Sequence, residues 1–209
     1  MVDVAYGACV GSWEKMNRFV LPGLASKSTS LYTMCGQASI ATAYNHILDA
    51  HTRQDIDALI LLHDDLEILD PEAEAKLQLA LSEPDVALAG VAGGSGQAGL
   101  AWWNVSPIGH QQTDVMNIDF GVRAGDVEIL EGSLLAFSPW AIKNLRFDTR
   151  FAGFHSYDEI GMQAISVGKR CVVVDVDTHH HSVMGFKSDA SRQQWEAGNE
   201  LYKQKWGLE

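Results

Sequence analysis

The stretch Ala58-Leu59-Ile60-Leu61-Leu62-His63-Asp64-Asp65 decides the fold class of this chain. Its first five residues are continuously apolar, which is typical of a central strand that is buried on both faces of a sheet. The polar triplet His63-Asp64-Asp65 follows at once, and in open α/β sheets ligands bind beyond the carboxyl ends of the strands. The stretch therefore predicts an interior strand with a ligand site at its end.

Strand-like apolar runs and helix-like stretches alternate on both sides of this segment, as expected of an α/β domain with a mostly parallel central sheet flanked by helices. One domain is expected over 1–209, with a C-terminal helix at about 191–206. The predicted strands are 4–10, 31–34, 58–62, 86–91, 127–137 and 171–176, the predicted helices are 16–24, 39–48, 70–81, 139–145 and 157–167, and 90–113 is predicted to be an irregular loop.

Composition excludes several classes of protein. The formal net charge of −12 repels a phosphate backbone, which argues against nucleic-acid binding. Three cysteines, none of them in a CxxC motif, argue against a disulfide scaffold or a thiolate zinc site and favour a reducing, cytoplasmic setting. No secretory signal is recognisable, and the longest apolar run is far shorter than the roughly 20 residues of a membrane span.

The carboxylates of Asp64 and Asp65 leave the predicted strand side by side. Adjacent carboxylates repel one another unless a cation or a hydrogen-bond donor neutralises them, and Mg²⁺ and Mn²⁺ are commonly shared between carboxylates and substrate phosphates. Two aspartates that only cap a turn are the alternative interpretation.

A histidine triplet, His179-His180-His181, ends the last predicted strand. Alternation along an extended chain sends His180 to one face of the sheet and its two neighbours to the other. Neutral imidazole is a frequent transition-metal ligand, so a metal site is one interpretation and a polar surface loop is the other.

Two acids, Asp158 and Glu159, lie in the first turn of a predicted helix. Acids at this position stabilise the helix dipole, which is the structural interpretation. A carboxylate there could also act as a general base if it faces a cleft.

A GxGxxG match at residues 94–99 is interpreted as a flexible loop. A dinucleotide site would require the motif to open a long helix, but Trp102-Trp103 and Pro107 follow almost immediately. An exposed tryptophan in this loop offers a flat apolar face suited to sugars or bases, and core burial is the alternative.

Taken together, these motifs resemble the GT-A glycosyltransferases of family 2, and more narrowly the glycosyltransferase-like group named for a streptomycin-biosynthesis protein. The resemblance covers about residues 4–185 and implies a GT-A (nucleotide-diphospho-sugar transferase) fold. It also implies a donor-nucleotide half at about 1–90 and an acceptor and catalytic half at about 91–185. The segments that carry it, in order, are Ser39–Asn45, Leu61–Ile68, Glu131–Ala136, Phe147–Asp148 through Tyr157-Asp158-Glu159, and His180-His181-Ser182.

The resemblance implies a metal-dependent inverting transfer of a sugar from a nucleotide-diphosphate donor, linked to UDP, GDP or dTDP, to a hydroxyl acceptor such as a carbohydrate. A divalent cation, Mn²⁺ or Mg²⁺, is the implied cofactor. The implied metal ligands are Asp65 and His180 or His181, with His179 not distinguished from them; the implied donor-binding residues are His63, Asp64, Asn45 and Glu131; and the implied base is Asp158 or Glu159.

Two other functions compete with this interpretation. A sugar nucleotidyltransferase would carry a glycine-rich basic loop near its N-terminus, whereas Ala8–Ser12 contains one glycine and no basic residue. A non-catalytic module that binds a nucleotide sugar would keep Asp65 but would not need Asp158 or Glu159. The sequence leaves homo-oligomerisation open.

Overall fold

The computed structural model describes residues 3–24, 30–96, 103, 106–151, 154–182 and 188–208. The strands in this part of the chain are β1 (Val4–Val10), β2 (Ser30–Cys35), β3 (Ala58–His63), β4 (Leu66–Ile68), β5 (Val86–Gly90), β6 (Ala92–Gly94), β7 (Pro107–Thr113), β8 (Asn117–Asp119), β9 (Gly125–Val127), β10 (Ile129–Leu130), β11 (Leu134–Phe137), β12 (Arg170–Val173) and β13 (Thr178–His180). The α-helices are α1 (Trp13–Lys15), α2 (Leu21–Leu24), α3 (Ile40–His51), α4 (Ala73–Leu81), α5 (Pro139–Asn144), α6 (Ser156–Ser166) and α7 (Asp189–Trp206), and a π-helical turn (Met16–Val20) joins α1 to α2.

The larger sheet has seven strands in the order β2-β1-β3-β11-β5-β12-β9. Strands β2, β1, β3, β5 and β12 run in one direction, and β11 and β9 run in the other. The predicted α/β architecture with a mostly parallel central sheet is therefore confirmed.

Strand β3 lies inside this sheet, between β1 and β11. Leu59 and Leu61 belong to one apolar core, whereas Ile60 and Leu62 belong to the core on the opposite face. Because each side chain is fully buried, each contributes about 1.5–3 kcal/mol of hydrophobic stabilisation. The continuous apolar run thus reflects a strand with a core on both of its faces.

A second sheet was not predicted. Its strands are ordered β10-β6-β7-β13-β4, with β8 paired to β7. Residues 90–113 were expected to form a loop, but they supply β6 and β7, while residues 97–102 and 104–105 lie outside the described part of the chain. The expected strand 127–137 is divided among β9, β10 and β11: β9 pairs with β12, β10 pairs with β6, and β11 pairs with both β3 and β5.

The last predicted strand is also corrected. β12 ends at Val173, and His179 and His180 belong to a separate strand, β13, of the second sheet, with His181 directly after it. The main-chain N–H of Val174 still donates to Gly90, but the N–H groups of Leu69 and Asp70 donate to the carbonyl of Asp177. The chain therefore changes sheets between residues 174 and 177.

The helices agree with the prediction except at their ends and at 16–24, where the π-helical turn Met16–Val20 precedes the short helix α2. Ser39 caps α3 by accepting a hydrogen bond from the main-chain N–H of Thr42, and Ser138 caps α5 in the same way. Helix α4 begins at Ala73, because the Asp70 carboxylate accepts from the N–H of Glu72 in a turn that precedes the helix. Among the described residues, no helix has the length and apolar character needed to cross a membrane.

Candidate functional site

Two strand ends bring the predicted metal ligands together. Strand β3 ends at His63, a two-residue turn then carries Asp65, and β4 begins at Leu66. β13 pairs antiparallel with β4, with His180 opposite Leu66. The main-chain N–H of His181 donates to the Asp65 carbonyl at 2.8 Å, so the backbone itself holds both ligands in place.

Three ligand atoms converge at this point, which we name the metal cluster: His63, Asp65 and His180. His180 Nε2 lies 3.3 Å from His63 Nδ1 and 3.1 Å from Asp65 Oδ1. The three groups offer ligand atoms within 4.8 Å of one another. Two imidazoles and one carboxylate form a donor set that suits a transition metal.

Lys15 neutralises the other side of Asp65. Its Nζ lies 2.8 Å from Asp65 Oδ2, so the two carboxylate oxygens face different groups. Burial alone would raise the pKa of Asp65, but hydrogen bonds from His180 and Lys15 outweigh it and hold that pKa well below its usual range. Asp65 is therefore an anion at any physiological pH, as a metal ligand must be.

Tyr157 extends the cluster toward α6. Its hydroxyl lies 2.7 Å from His63 Nε2, so both nitrogens of His63 are engaged. Burial lowers the pKa of His63, and the neighbouring His180 lowers it further. The neutral imidazole that a metal requires is thus favoured at His63.

Gly132 allows Tyr157 to approach. A Cβ atom at Gly132 would overlap the Tyr157 ring.

We expect Gly132→Ala to lower the free energy of unfolding by about 1–3 kcal/mol, the usual cost of overpacking. We also expect it to weaken binding at the metal cluster, because the Tyr157 hydroxyl would move away from His63. Thermal unfolding and metal-dependent nucleotide affinity measure the two effects. In a Tyr157→Ala background the same change is expected to cost little, and an equal cost in both backgrounds would contradict the proposed overlap.

Glu131 lies near the metal cluster. Its carboxylate accepts from the N–H of Ser133 at 2.9 Å and from the Ser133 hydroxyl, which in turn accepts from Gln111 Nε2 at 2.7 Å. Its charge opposes the lowering of the His63 pKa. At His180 burial lowers the pKa, but the hydrogen bond to Asp65 and the Glu131 charge outweigh burial and raise it. Glu131 is thus anchored through one oxygen, Oε2, within electrostatic range of the cluster.

Asp158 is buried in the first turn of α6. Its Oδ2 lies 2.6 Å from Nδ1 of His155, the residue that precedes the helix in a left-handed conformation. Burial raises the pKa of Asp158, the hydrogen bond from His155 opposes this, and the Glu131 charge adds to the rise. A carboxylate with a raised pKa suits a general base.

Glu159, the next residue, forms an ion pair with the C-terminal helix. It is fully buried, and its carboxylate contacts Lys205 Nζ at 2.6 Å and Gln163 Nε2 at 2.8 Å. Lys205 lies on α7 and also contacts Asp148 at 2.8 Å. Glu159 thus fastens the C-terminal helix to α6, which favours Asp158 over Glu159 as the base.

Removing Lys205 should therefore destabilise the protein. We expect Lys205→Met to lower the free energy of unfolding by about 3 kcal/mol, because it leaves the buried Glu159 charge without its cation. At this chain length that corresponds to a fall in Tm of about 6–12 °C. Lys203→Met is the matched control on the same helix: Lys203 lies 3.7 Å from the exposed Glu200, and its loss should cost less than about 1 kcal/mol. Equal effects of the two substitutions would contradict this role of Glu159.

Asp64 and Asn45, which were predicted to bind the nucleotide-sugar donor, form hydrogen bonds with main-chain groups. Asp64 Oδ2 accepts from the N–H groups of Gly11 and Ser12 at 2.7 and 2.6 Å, which fixes the loop after β1 beside the metal cluster. The Asn45 side-chain amide both donates to and accepts from the main chain of Phe147, at 2.8 Å each. These contacts give both side chains a structural role, and binding of the nucleotide sugar by Asp64 and Asn45 stays a prediction.

The histidine triplet divides as its alternation predicts. His180 faces Asp65, whereas His179 and His181 form a second group with Glu67. His180 and His181 were the alternative histidine ligands, and His181 groups with Glu67 on the side away from the metal cluster.

Three residues near the site were not predicted: Lys15, Tyr157 and His155. Lys15 had a detectable signal, because it is a basic residue in the first turn after β1, at the edge where ligands bind. The residues of the glycine-rich match beyond Gly96, and Trp102, lie outside the described part of the chain, whereas Trp103 is exposed.

The chain is similar in sequence to a protein of known pathway. The streptomycin biosynthesis protein StrF of Streptomyces griseus is 33% identical over 193 residues, which cover 88% of this chain and 68% of StrF. No family model matches the chain.

Solved structures share the fold at low identity. GalNAc-T7 with UDP, GalNAc and Mn²⁺ has a TM-score of 0.66 at 10% identity, covering 96% of this chain and 48% of its own. The mannosyltransferase PcManGT of Pyrobaculum calidifontis, with GDP-Man and Mn²⁺, has a TM-score of 0.65 at 12% identity, covering 97% and 64%. S. aureus TarS with UDP-GlcNAc has a TM-score of 0.58 at 9% identity, covering 89% and 60%.

This chain spans less than two thirds of each of those three structures, and at these identities the likeness establishes the fold. The identity to StrF establishes the family. The chain belongs to the family of the streptomycin biosynthesis protein StrF, and its fold is the GT-A fold of glycosyltransferases.

Proposed function

We propose that this protein is a metal-dependent, inverting glycosyltransferase that moves a sugar from a nucleoside-diphosphate donor to an acceptor hydroxyl. One observation carries the proposal: His63, Asp65 and His180 converge within 4.8 Å at the carboxyl edge of β3, in a GT-A fold. That edge is where α/β sheets bind ligands.

The donor set of the metal cluster fits a divalent transition metal. Two imidazoles favour Mn²⁺ over Mg²⁺, which strongly prefers oxygen ligands. A bound ion would supply Lewis-acid stabilisation of the charge that develops on the departing diphosphate. Asp65 Oδ1 faces His180 and Oδ2 faces Lys15, so the ammonium of Lys15 lies directly beside the cluster.

Asp158 is the proposed general base, which accepts the proton of the attacking acceptor hydroxyl. The raised pKa and buried position of its carboxylate support this role, and His155 orients it. Such a base is typically worth 10²–10⁴-fold in rate. Glu131 is the proposed contact for donor-sugar hydroxyls, since it lies within electrostatic range of both the metal cluster and Asp158.

The donor and its metal can be identified by a thermal-shift screen. UDP-, GDP- and dTDP-sugars would each be tested with Mn²⁺, with Mg²⁺ and with EDTA. A donor at a hundredfold excess over its Kd adds about 2.7 kcal/mol to the apparent stability, which is readily detected. We expect one nucleotide class to stabilise the protein with Mn²⁺ and to do so much less with EDTA.

Product analysis then separates the alternatives. Donor binding without transfer to any hydroxyl acceptor would favour a non-catalytic nucleotide-sugar module, and pyrophosphorolysis of the donor would favour a nucleotidyltransferase. Inversion is tested by the NMR coupling of the anomeric proton in the product.

A further inference from the structure

The face of β13 that points away from the metal cluster carries a second set of ligand groups. His179 and His181 are two residues apart and therefore share this face. Glu67 on β4 lies directly opposite His179 in the antiparallel register. The resemblance left His179 and His181 as alternatives to His180 for the metal at Asp65, but these two histidines group with Glu67 and not with Asp65. The proposed transferase chemistry therefore uses none of these three residues.

The contacts within this set are close. His181 Nε2 lies 2.9 Å from Glu67 Oε2, and the two imidazole rings stack with their centroids 3.9 Å apart. Glu67, His179 and His181 offer ligand atoms within 4.8 Å of one another. We propose that Glu67, His179 and His181 bind a second divalent transition-metal ion, most suitably Zn²⁺.

The chemistry of the set supports this assignment. Two histidines and one glutamate form a recurrent Zn²⁺ ligand set that leaves a fourth position for water. Glu67 lies on β4, His179 lies on β13 and His181 follows β13 directly, so the backbone holds the three residues side by side. The two imidazole planes are 20° apart, and rotation of the side chains would turn both rings toward one ion. An Mg²⁺ or Ca²⁺ ion, which prefers oxygen ligands, would gain little from the imidazoles.

Asp114 completes the arrangement. Its Oδ1 lies 3.1 Å from both His179 Nε2 and His181 Nδ1. A carboxylate that accepts from the second nitrogen of a ligating imidazole fixes the orientation of the ring and raises its basicity. At His181 the two nitrogens are divided in this way, with Nε2 toward Glu67 and Nδ1 toward Asp114.

An ion can reach this set from solvent. A cavity of about 290 Å³ is lined by Asp114 and His181, together with Lys15 and Arg18. Lys15 is paired with Asp65, and Arg18 lies over the Phe19 ring, 5.0 Å from its centroid, while that ring also stacks on His181. The two basic side chains are thus occupied by other contacts.

The test counts ions on metal-free protein, without donor or acceptor. Zn²⁺ would be titrated by calorimetry and bound metal measured after dialysis, and Co²⁺ would report ligand geometry through its visible spectrum.

We expect His179→Gln/His181→Gln to bind one ion fewer per chain than the wild type and to lose one component of the Co²⁺ spectrum. Glu67→Gln, which disturbs the strands less, should weaken that ion at least about tenfold. His46→Gln, at an exposed histidine, is the matched control and should change nothing.

The two proposals fail separately. Asp65→Asn/His180→Gln should remove the other ion, so the remaining Zn²⁺ in that variant reports the second site alone. Equal Zn²⁺ stoichiometry and affinity in the wild type and the His179→Gln/His181→Gln variant would overturn the second site, whatever nucleotide binding shows. Loss of Mn²⁺-dependent nucleotide binding in Asp65→Asn but not in His179→Gln/His181→Gln would leave the proposed transferase function intact.

Discussion

Asp65→Asn is expected to abolish Mn²⁺-dependent binding of the nucleoside diphosphate. The substitution preserves the size of the side chain but replaces the carboxylate that accepts hydrogen bonds from His180 and Lys15 with a neutral amide. A neutral amide is a poor metal ligand, and Lewis-acid stabilisation worth several kcal/mol corresponds to about 10²–10⁴-fold in turnover. Calorimetry of UDP or GDP, with and without Mn²⁺, measures the affinity, and single-turnover transfer measures the rate.

Metal removal should reproduce this effect in the wild type. EDTA is expected to lower nucleotide affinity to the level of Asp65→Asn and to have no further effect on that variant. Asp55→Asn, at an exposed aspartate outside the site, is the matched control. Circular dichroism would verify that the Asp65 variant remains folded.

The result that would contradict this prediction concerns Lys15. If its ammonium, rather than a metal, neutralises the diphosphate, Lys15→Met would abolish binding while EDTA would leave the wild type unchanged. That pair of results would contradict a metal-dependent function and keep Asp65 only as the partner that positions Lys15.

The interior of the larger sheet could be predicted because its signals are local. The run from Ala58 to Leu62 has no polar member, and only a strand with a core on both faces buries all of it. Alternation is equally local, and it separated His180 from His179 and His181 as expected. Both results follow from the geometry of a single strand.

The second sheet could not be predicted, because its strands are short and its pairing is nonlocal. β6 contains only Ala92, Gly93 and Gly94, which have little strand propensity. The change of sheet after Val173 lies within Cys171–Val176, a run in which every residue except Asp175 is apolar, so the apolar pattern does not end where β12 ends. Pairing between β4 and β13 joins residues more than a hundred positions apart.

The same limit applies to side-chain roles. Asn45 and Glu159 have residue types that suit a site, but distant segments engage them: Phe147 in one case and Lys205 in the other. Sequence alone therefore left Asp158 and Glu159 equivalent. The structure gives them different partners, His155 for Asp158 and Lys205 for Glu159, and Asp158 as the base stays a proposal.

Asp158→Asn is expected to lower kcat by about 10²–10⁴-fold, with little change in donor affinity. The substitution keeps the size of the side chain, but an amide cannot accept the proton of the acceptor hydroxyl. Glu159→Gln is the comparison within the same helical turn: it should lower Tm, since Lys205 loses its buried partner, while the folded enzyme retains its kcat. The reverse pattern, with catalysis lost in Glu159→Gln and retained in Asp158→Asn, would exchange the two roles.

The pH profile gives an independent test of the base. Because burial raises the pKa of Asp158, its carboxylate becomes protonated at a higher pH than an ordinary aspartate, whose pKa is about 3.9. A base works only when deprotonated, so kcat of the wild type should fall as the pH drops through this raised pKa and should be constant above it. His155 donates to the charged form and opposes the rise, so His155→Phe should move the acidic limb to still higher pH. Residual activity of Asp158→Asn should lack that limb, and an identical acidic limb in the variant and the wild type would assign the titrating base to another residue.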